Sequence, residues 1–412
     1  MKTTLVVLVA FRLSLLFACS VNFKNNACRR GYLYPIAPFS KQCYENPDVL
    51  SDVPTMVKRN GYNIETYEVP TQDGYILTLF YIFGKNKPSK PNPVYMQHGI
   101  IVNTGHYVDL GSRSCAFYFV DKGYQVWLGN VRGSAYSRKH KNLTTRDPQF
   151  WTYNLDSIVE YDLPALISFV YNKSGHKVHY GGDSFGTTVG VMLAASNKEV
   201  SSMLQSVVLL GPAVYIHNLQ PLKYFYRPAL IMTDMLILFG VRGLLYQKYL
   251  PILAVYYCKM LPELCLEFIK VTTGSIKLFP PENLPLFFSY WPDGLSIFEL
   301  KHYLQLGISN KLQKFDHGGH TNLKKYGTRD PPLYNLSAIS VPVCIFYGES
   351  DQLYDKEDLE RTYNEIGSSQ KCKYAVSNDK NVSYGHLDFG YSESVTKDLY
   401  DVVLDVLEKF EA

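Results

Sequence analysis

Short apolar runs alternate with segments of helical periodicity over the first half of the chain. The runs that predict strands cover residues 67–70, 75–83, 93–97, 124–128, 177–180 and 206–210. The segments that predict helices cover residues 53–60, 116–122, 155–171 and 187–196. Strands that alternate with helices at this spacing predict an α/β fold, with a mostly parallel sheet and helices on both of its faces.

This alternation stops after residue 211. Residues 212–333 contain helical stretches and apolar runs that Asp234, Arg242 and Lys248 interrupt, so no run has the length of a membrane span. A long insertion after a sheet strand predicts a cap. One interpretation of the cap is an ordinary helical subdomain. The other is a lid whose apolar faces cover a site and meet lipid, and both interpretations can hold at once.

The α/β pattern resumes near the C-terminus. Strands are predicted at 341–347 and 374–377, and helices at 355–366 and 392–410. The chain is therefore expected to form one core from residues 21–211 and 334–412, with residues 212–333 as a cap and lid insertion. Within the 155–171 helix, Pro164 is compatible with a first turn, so Asp162 is interpreted as a helix cap rather than as a site acid.

The candidate chemistry begins with the pentapeptide Gly182-Asp183-Ser184-Phe185-Gly186. It lies between a predicted strand and a predicted helix, which is the context of the nucleophile elbow in serine hydrolases. The two glycines fit a turn too tight for a Cβ, and the serine hydroxyl would stand clear of the sheet. A Gly-rich turn without function fits the pentapeptide alone equally well, so the rest of the chain must decide.

A base and an acid for this serine follow in the order that such hydrolases use. Asp351 comes just after the 341–347 strand, and its position favours it over Glu349 and Asp355 as the acid. Of the ten histidines, only His386 follows that strand. His386 would take the proton of Ser184, and Asp351 would orient the imidazole and stabilise its charged form.

The strand at 93–97 ends in His98-Gly99-Ile100, where hydrolases with an elbow place a second oxyanion donor. A plain strand-end turn is the alternative. The backbone N–H groups of Ile100 and Phe185 are therefore predicted to bind the oxyanion. Residues 316–320 supply too few ligands for a metal, and we expect neither a metal nor a cofactor.

The N-terminus predicts export. Residues 1–20 combine Lys2, an apolar stretch and the small residues of Ala18-Cys19-Ser20, as in a secretory signal peptide with cleavage near Ser20. Sequons predict N-glycosylation at Asn142, Asn172, Asn335 and Asn381. Together these features predict a secreted or lysosomal glycoprotein. The net charge of +4 is too small and too dispersed to favour a nucleic-acid partner.

Cysteine usage agrees with an oxidising compartment. Loss of Cys19 with the signal peptide leaves seven cysteines, so at least one is free or pairs with another chain. Cys258 with Cys265 is the favoured bridge, and Cys28 with Cys43 is the second.

Several stretches resemble the animal acid lipase family, to which gastric and lysosomal acid lipases belong. They are Asn46-Pro47, residues 72–77, Gln97-His98-Gly99, residues 123–133, residues 161–165, Gly186-Thr187-Thr188 and His386-Leu387-Asp388-Phe389. The resemblance covers nearly the whole mature chain and is weakest across the cap. It implies an α/β-hydrolase with a cap and lid that acts on neutral acylglycerols or sterol esters. It also implies that Cys258 and Cys265 correspond to the cap disulfide.

The elbow departs from the family pattern, which usually has His before the serine and Gln after it. Here Asp183 and Phe185 occupy those places. Phe185 still offers its backbone N–H, but a carboxylate at Asp183 would oppose a nearby oxyanion and raise the pKa of His386. The first hypothesis is thus a serine hydrolase of lipid esters. The alternatives are a weak or silent lipid-binding or storage protein, and the same triad acting on small soluble esters or in acyl transfer.

Overall fold

In the part of the chain that the structure describes, a mostly parallel sheet of nine strands forms the centre. The computed structural model describes residues 25–411, and the predicted signal peptide at residues 1–20 lies outside them. The strands are β1 (Asn63–Pro70), β2 (Tyr75–Phe83), β3 (Val94–Gln97), β4 (Val126–Gly129), β5 (Lys139–His140), β6 (Val178–Asp183), β7 (Leu204–Leu210), β8 (Val343–Tyr347) and β9 (Lys371–Ala375).

The strand order is β9-β8-β7-β6-β3-β4-β2-β1, with the short β5 paired to β2. The strands from β9 to β4 run parallel, whereas β1, β2 and β5 are added in antiparallel pairs. This order confirms the predicted mostly parallel α/β sheet. β1 and β2 form an antiparallel hairpin, which turns at Gly74 with φ +102°. The first four residues of β1 escaped prediction because all four are at least partly exposed.

Helices cover both faces of the sheet. The α-helices of seven or more residues in the described chain are α1 (Val53–Arg59), α2 (Cys115–Asp121), α3 (Leu163–Ser174), α4 (Phe185–Ser196), α5 (Tyr226–Leu238), α6 (Leu250–Met260), α7 (Pro262–Thr273), α8 (Leu284–Tyr290), α9 (Ile297–Ser309), α10 (Gly319–Tyr326), α11 (Lys356–Glu365) and α12 (Asp401–Glu411). Shorter α-helical turns span Leu155–Ser157, Lys198–Ser202 and Asp388–Tyr391.

Two apolar clusters separate these helices by face. Successive strand residues point to opposite sides, so Val207 and Leu209 enter one cluster while Val208 enters the other. The first cluster contains buried residues of α3, α4 and α11, and the second contains those of α1, α2 and α12. Helices on both faces are thereby confirmed.

Asp162 is not a helix cap, and that interpretation was wrong. The helical run begins at Leu155, where the Asn154 side chain accepts from the backbone N–H of Asp156. It passes through a π-helical turn at Ile158–Asp162 before α3, next to Pro164, which has no N–H to continue the α pattern. The Asp162 carboxylate instead accepts from the Arg132 side chain, with Nε at 2.8 Å and Nη2 at 2.6 Å.

The segment between β7 and β8 carries α5 to α10 and a two-stranded pair, Gly243–Leu244 with Leu295–Ser296. Its apolar side chains, including Val255, Ile269 and Phe287, pack with Tyr34 of the N-terminal segment and with Tyr391. None of the helices within residues 25–411 is long and apolar enough to cross a membrane. The boundaries of the cap at residues 212 and 333 stay predictions.

Three disulfides are present in the described chain. Cys258–Cys265 joins α6 to α7, Cys28–Cys43 closes the N-terminal segment, and Cys344–Cys372 joins β8 to β9. Both predicted bridges are thereby present. The third bridge escaped prediction because its cysteines become neighbours only through the pairing of the two strands. Among the described cysteines, Cys115 is free, and it is buried.

Candidate active site

The turn between β6 and α4 places Ser184 in a strained conformation. Ser184 has φ +52° and ψ −112°, and α4 begins at the next residue. A Cβ on Gly182 would lie 2.5 Å from the carbonyl oxygen of Gly186, and a Cβ on Gly186 would lie 2.3 Å from that of Gln97. Since backbone atoms cannot move aside cheaply, this turn requires glycine at both positions.

The structure brings His386 and Asp351 together. The imidazole Nδ1 lies 2.7 Å from Oδ2 of Asp351, whose side chain is only 2% exposed. Oδ1 of Asp351 accepts from the backbone N–H of Leu353 at 2.6 Å, which fixes the carboxylate. Of the two alternative acids, Asp355 caps α11 by accepting from the N–H groups of Glu357 and Asp358, and Glu349 is exposed.

Ser184 and His386 line the same cavity of about 380 Å³. On the core side the cavity is bordered by Gly99, Ile100 and Asp183. From the insertion it is lined by the mainly apolar side chains of Phe268, Ile269, Thr272, Thr273, Phe287 and Trp291. The three residues of the predicted triad come from the ends of β6 and β8 and from the loop after β9, so the carboxyl edge of the parallel sheet gathers them.

The insertion also holds the loops that carry the predicted acid and base. The backbone N–H of His386 donates to the carbonyl of Thr273 at 3.1 Å, and that of Ser275 donates to Ser350 at 2.9 Å. The loop that carries His386 is also fixed by the Asp388 side chain, which accepts a hydrogen bond from the backbone N–H of Gly385 at 2.7 Å. Thus the end of α7 contributes to the geometry of His386.

The predicted oxyanion donors flank Ser184. Phe185 is the first residue of α4, where backbone N–H groups lack an acceptor within the helix and favour negative charge. Ile100 lies in the turn after β3 and lines the cavity. A Cβ on Gly99 would lie 3.4 Å from Cβ of Ser184, so this turn passes directly beside the serine.

Asp183 lies beside the serine in a poorly solvated position. Burial is the main cause that raises the pKa of Asp183 to about 6. The charge of His386 lowers this pKa, and the charge of Asp351 raises it further. Burial lowers the pKa of His386, but the carboxylates of Asp351 and Asp183 outweigh it, and the net pKa is raised. Both groups therefore carry a charge that changes with pH.

His106 also lines the cavity, although no sequence motif marks it. Its Nε2 lies 3.9 Å from Oδ2 of Asp183, and it is buried without a hydrogen-bond partner. Burial, together with the neighbouring His98, lowers the pKa of His106 to about 3, so this imidazole is neutral. An isolated histidine in a turn carries no motif, and only the fold places it against Asp183.

Comparisons with known proteins agree with this architecture. A family profile described as an alpha/beta hydrolase fold matches residues 92–377, and one described as a partial alpha/beta-hydrolase lipase region matches residues 53–111. The chain belongs to the α/β-hydrolase fold family. Two solved structures show the same fold: a soluble variant of monoglyceride lipase from Saccharomyces cerevisiae (TM-score 0.54, 15% identity, 85% of this chain and 96% of that one) and a putative lipase from Sulfolobus solfataricus (TM-score 0.55, 14% identity, 84% and 94%).

Relatives in sequence are named lipases. Lipase member K of Homo sapiens is 31% identical over 388 residues, covering 89% of this chain and 92% of its own. Gastric triacylglycerol lipase of Rattus norvegicus is 31% identical over 386 residues (90% and 94%), and Lipase 1 of Drosophila melanogaster is 30% identical over 368 residues (88% and 81%). The resemblance to the animal acid lipases is thus confirmed, and it supports hydrolysis of lipid esters.

Proposed function

We propose that the protein hydrolyses carboxylic ester bonds of neutral lipids, triacylglycerols or sterol esters, through an acyl-enzyme on Ser184. The observation that carries the proposal is the 2.7 Å contact between His386 and Asp351, made on the cavity that Ser184 lines. In this contact Nδ1 of His386 donates to the carboxylate, which leaves Nε2 free to accept a proton.

The reaction then runs in two halves. His386 takes the hydroxyl proton as Ser184 Oγ bonds to the ester carbonyl carbon, and the N–H groups of Ile100 and Phe185 bind the oxyanion. His386 returns the proton to the leaving alcohol when the C–O bond breaks. Water then attacks the acyl-enzyme, giving its proton to His386, which passes it to Ser184 as the fatty acid leaves.

The lining and surface of the insertion support lipid as the substrate. Phe268, Phe287 and Trp291 border the cavity with apolar rings suited to an acyl chain. Outside, α5 exposes Ile231, Met235 and Leu238 by 63%, 53% and 83%. An exposed apolar surface of this kind fits a lipid-water interface as the partner.

Secretion or lysosomal delivery is part of the proposal. Three disulfides fit an oxidising compartment. The four proposed glycosylation sites, Asn142, Asn172, Asn335 and Asn381, are all exposed. A glycan at each would therefore meet solvent rather than the core.

The test measures hydrolysis of a triglyceride, a sterol ester and a short soluble ester across acid to neutral pH. Ser184→Ala is expected to lose turnover by several orders of magnitude and to lose labelling by an organophosphonate. The control Ser196→Ala, at the far end of α4, should keep both turnover and labelling. Hydrolysis or labelling that survives Ser184→Ala would refute the proposal.

The second candidate is a lipid-binding protein without turnover, favoured by the Asp183 carboxylate beside the serine. It predicts bound lipid and no hydrolysis at any pH between acid and neutral.

Activity confined to the soluble ester, with no rise in rate above the solubility limit of the triglyceride, would instead favour an esterase of small substrates.

A further inference from the structure

Ile101 has a left-handed backbone conformation immediately after the predicted oxyanion donor Ile100. Its φ is +52°, a region that β-branched residues rarely adopt because the side chain crowds the backbone. A conformation of this kind persists only where surrounding contacts hold it. The direction of the chain beside Ser184 therefore depends on what holds Ile101.

Asp293, in the insertion, holds this segment at two points. Its backbone N–H donates to the carbonyl oxygen of Ile101 at 2.7 Å. Its carboxylate Oδ2 accepts from the side-chain amide of Asn103 at 2.9 Å. One residue thus fixes both ends of the 101–103 turn.

The Asp293 carboxylate is itself firmly placed. Oδ2 also accepts from the backbone N–H of Ala135 at 2.8 Å, and Oδ1 accepts from that of Gly294 and from Nη2 of Arg138, both at 2.6 Å. The residue is 4% exposed. With four donors on its two oxygens and a paired charge, this carboxylate has no freedom to rotate.

We propose that Asp293 is a positioning residue for the oxyanion site: it holds the 101–103 turn so that the Ile100 N–H faces the reacting oxygen beside Ser184. This inference rests on the proposed function. It also links the site to the insertion, because Trp291, two residues before Asp293, lines the cavity.

Asp293→Asn tests the inference because it keeps the size of the side chain. An amide cannot accept from all four donors, so at least one of these hydrogen bonds is lost. For a soluble ester, kcat is expected to fall by about 10- to 100-fold while KM stays within about twofold, because a displaced donor weakens only the transition state. A boronic acid, which mimics the tetrahedral intermediate, should bind less tightly by a similar factor. An uncleavable ether analogue should bind as before.

Asp156→Asn is the matched control. Asp156 is also buried where the insertion meets the core, and it accepts from Phe315 N–H at 2.9 Å and Tyr334 OH at 2.7 Å. The Asp156→Asn variant is expected to have a lower melting temperature and unchanged kcat and boronate affinity. If Asp293→Asn behaves in the same way, Asp293 has only a structural role and the inference fails.

Asn103→Ser is the second variant, for the case in which Asp293→Asn does not fold. It removes one contact to the 101–103 turn and leaves the Arg138 ion pair in place. A lower kcat at unchanged KM supports the inference, and an unchanged kcat and boronate affinity overturn it. Ser184→Ala is assayed in parallel, since turnover that survives this change refutes the proposed function itself.

Discussion

Replacing Asp183 with asparagine measures how much a poorly solvated carboxylate beside the nucleophile lowers the free energy of unfolding. Burial raises the pKa of Asp183 from its ordinary 3.8 to about 6, although the charge of His386 acts in the other direction. The side chain is 22% exposed, so water screens it only in part. A pKa difference of about 2 at about 1.36 kcal/mol per unit corresponds to about 3 kcal/mol.

The sign follows from the direction of the shift. Because the folded pKa lies above the unfolded pKa, the native state holds this proton more tightly, and Asp183 favours folding fully only below pH 3.8. That contribution is lost as the pH rises through about 6. Asparagine is neutral throughout, so the variant should match the wild type near pH 4 and exceed its free energy of unfolding by up to about 3 kcal/mol at pH 7.5.

Urea-induced unfolding with the disulfides intact, at pH 4, 5, 6 and 7.5, measures this difference. Asp330→Asn, at an exposed carboxylate, controls for the loss of one negative charge. A gain at pH 7.5 of less than about 1 kcal/mol, or an equal gain at pH 4 and pH 7.5, would refute the reasoning, since neither is compatible with the cost of ionising a poorly solvated carboxyl group.

Three further predictions concern catalysis and the core. Asp183→Asn should move the acidic limb of the kcat/KM profile to lower pH, because His386 loses a carboxylate that raises its pKa; an unchanged limb counts against that coupling. Gly186→Ala should abolish soluble expression or activity because its Cβ would meet backbone at 2.3 Å, whereas Gly319→Ala, with no atom nearer than 3.9 Å, should be nearly neutral. Arg132→Met should lower the free energy of unfolding by about 3–5 kcal/mol, measured by urea unfolding, since it leaves a buried carboxylate unpaired; a loss below about 1 kcal/mol would contradict this.

Much of the fold was predictable because its signals are local. The strands carry apolar runs and the helices carry their own periodicity, and β1 and β2 are joined by a short turn with glycine. The order of the strands was not predictable in the same way. It depends on which apolar faces pack together, and residues such as Cys344 and Cys372 meet only after that choice is made.

The candidate site likewise has features that were predictable from local sequence and one that was not. The glycine spacing around Ser184 is a local requirement, since a Cβ at either glycine would meet backbone within 2.5 Å. Asp351 and His386 could be singled out by their order and their positions after predicted strands. Their 2.7 Å contact, however, is a fact of the tertiary structure.

The sequence by itself determined the class of fold, the tight turn at Ser184 and the residues that could serve it, because each depends on neighbours a few positions away. Only the tertiary structure decided that Asp162 pairs with Arg132, that His106 faces Asp183 and that Asp293 holds Ile101. These contacts join residues from about 30 to nearly 200 positions apart. They form because burial removes water from polar groups, which must then find partners wherever the packed chain brings them.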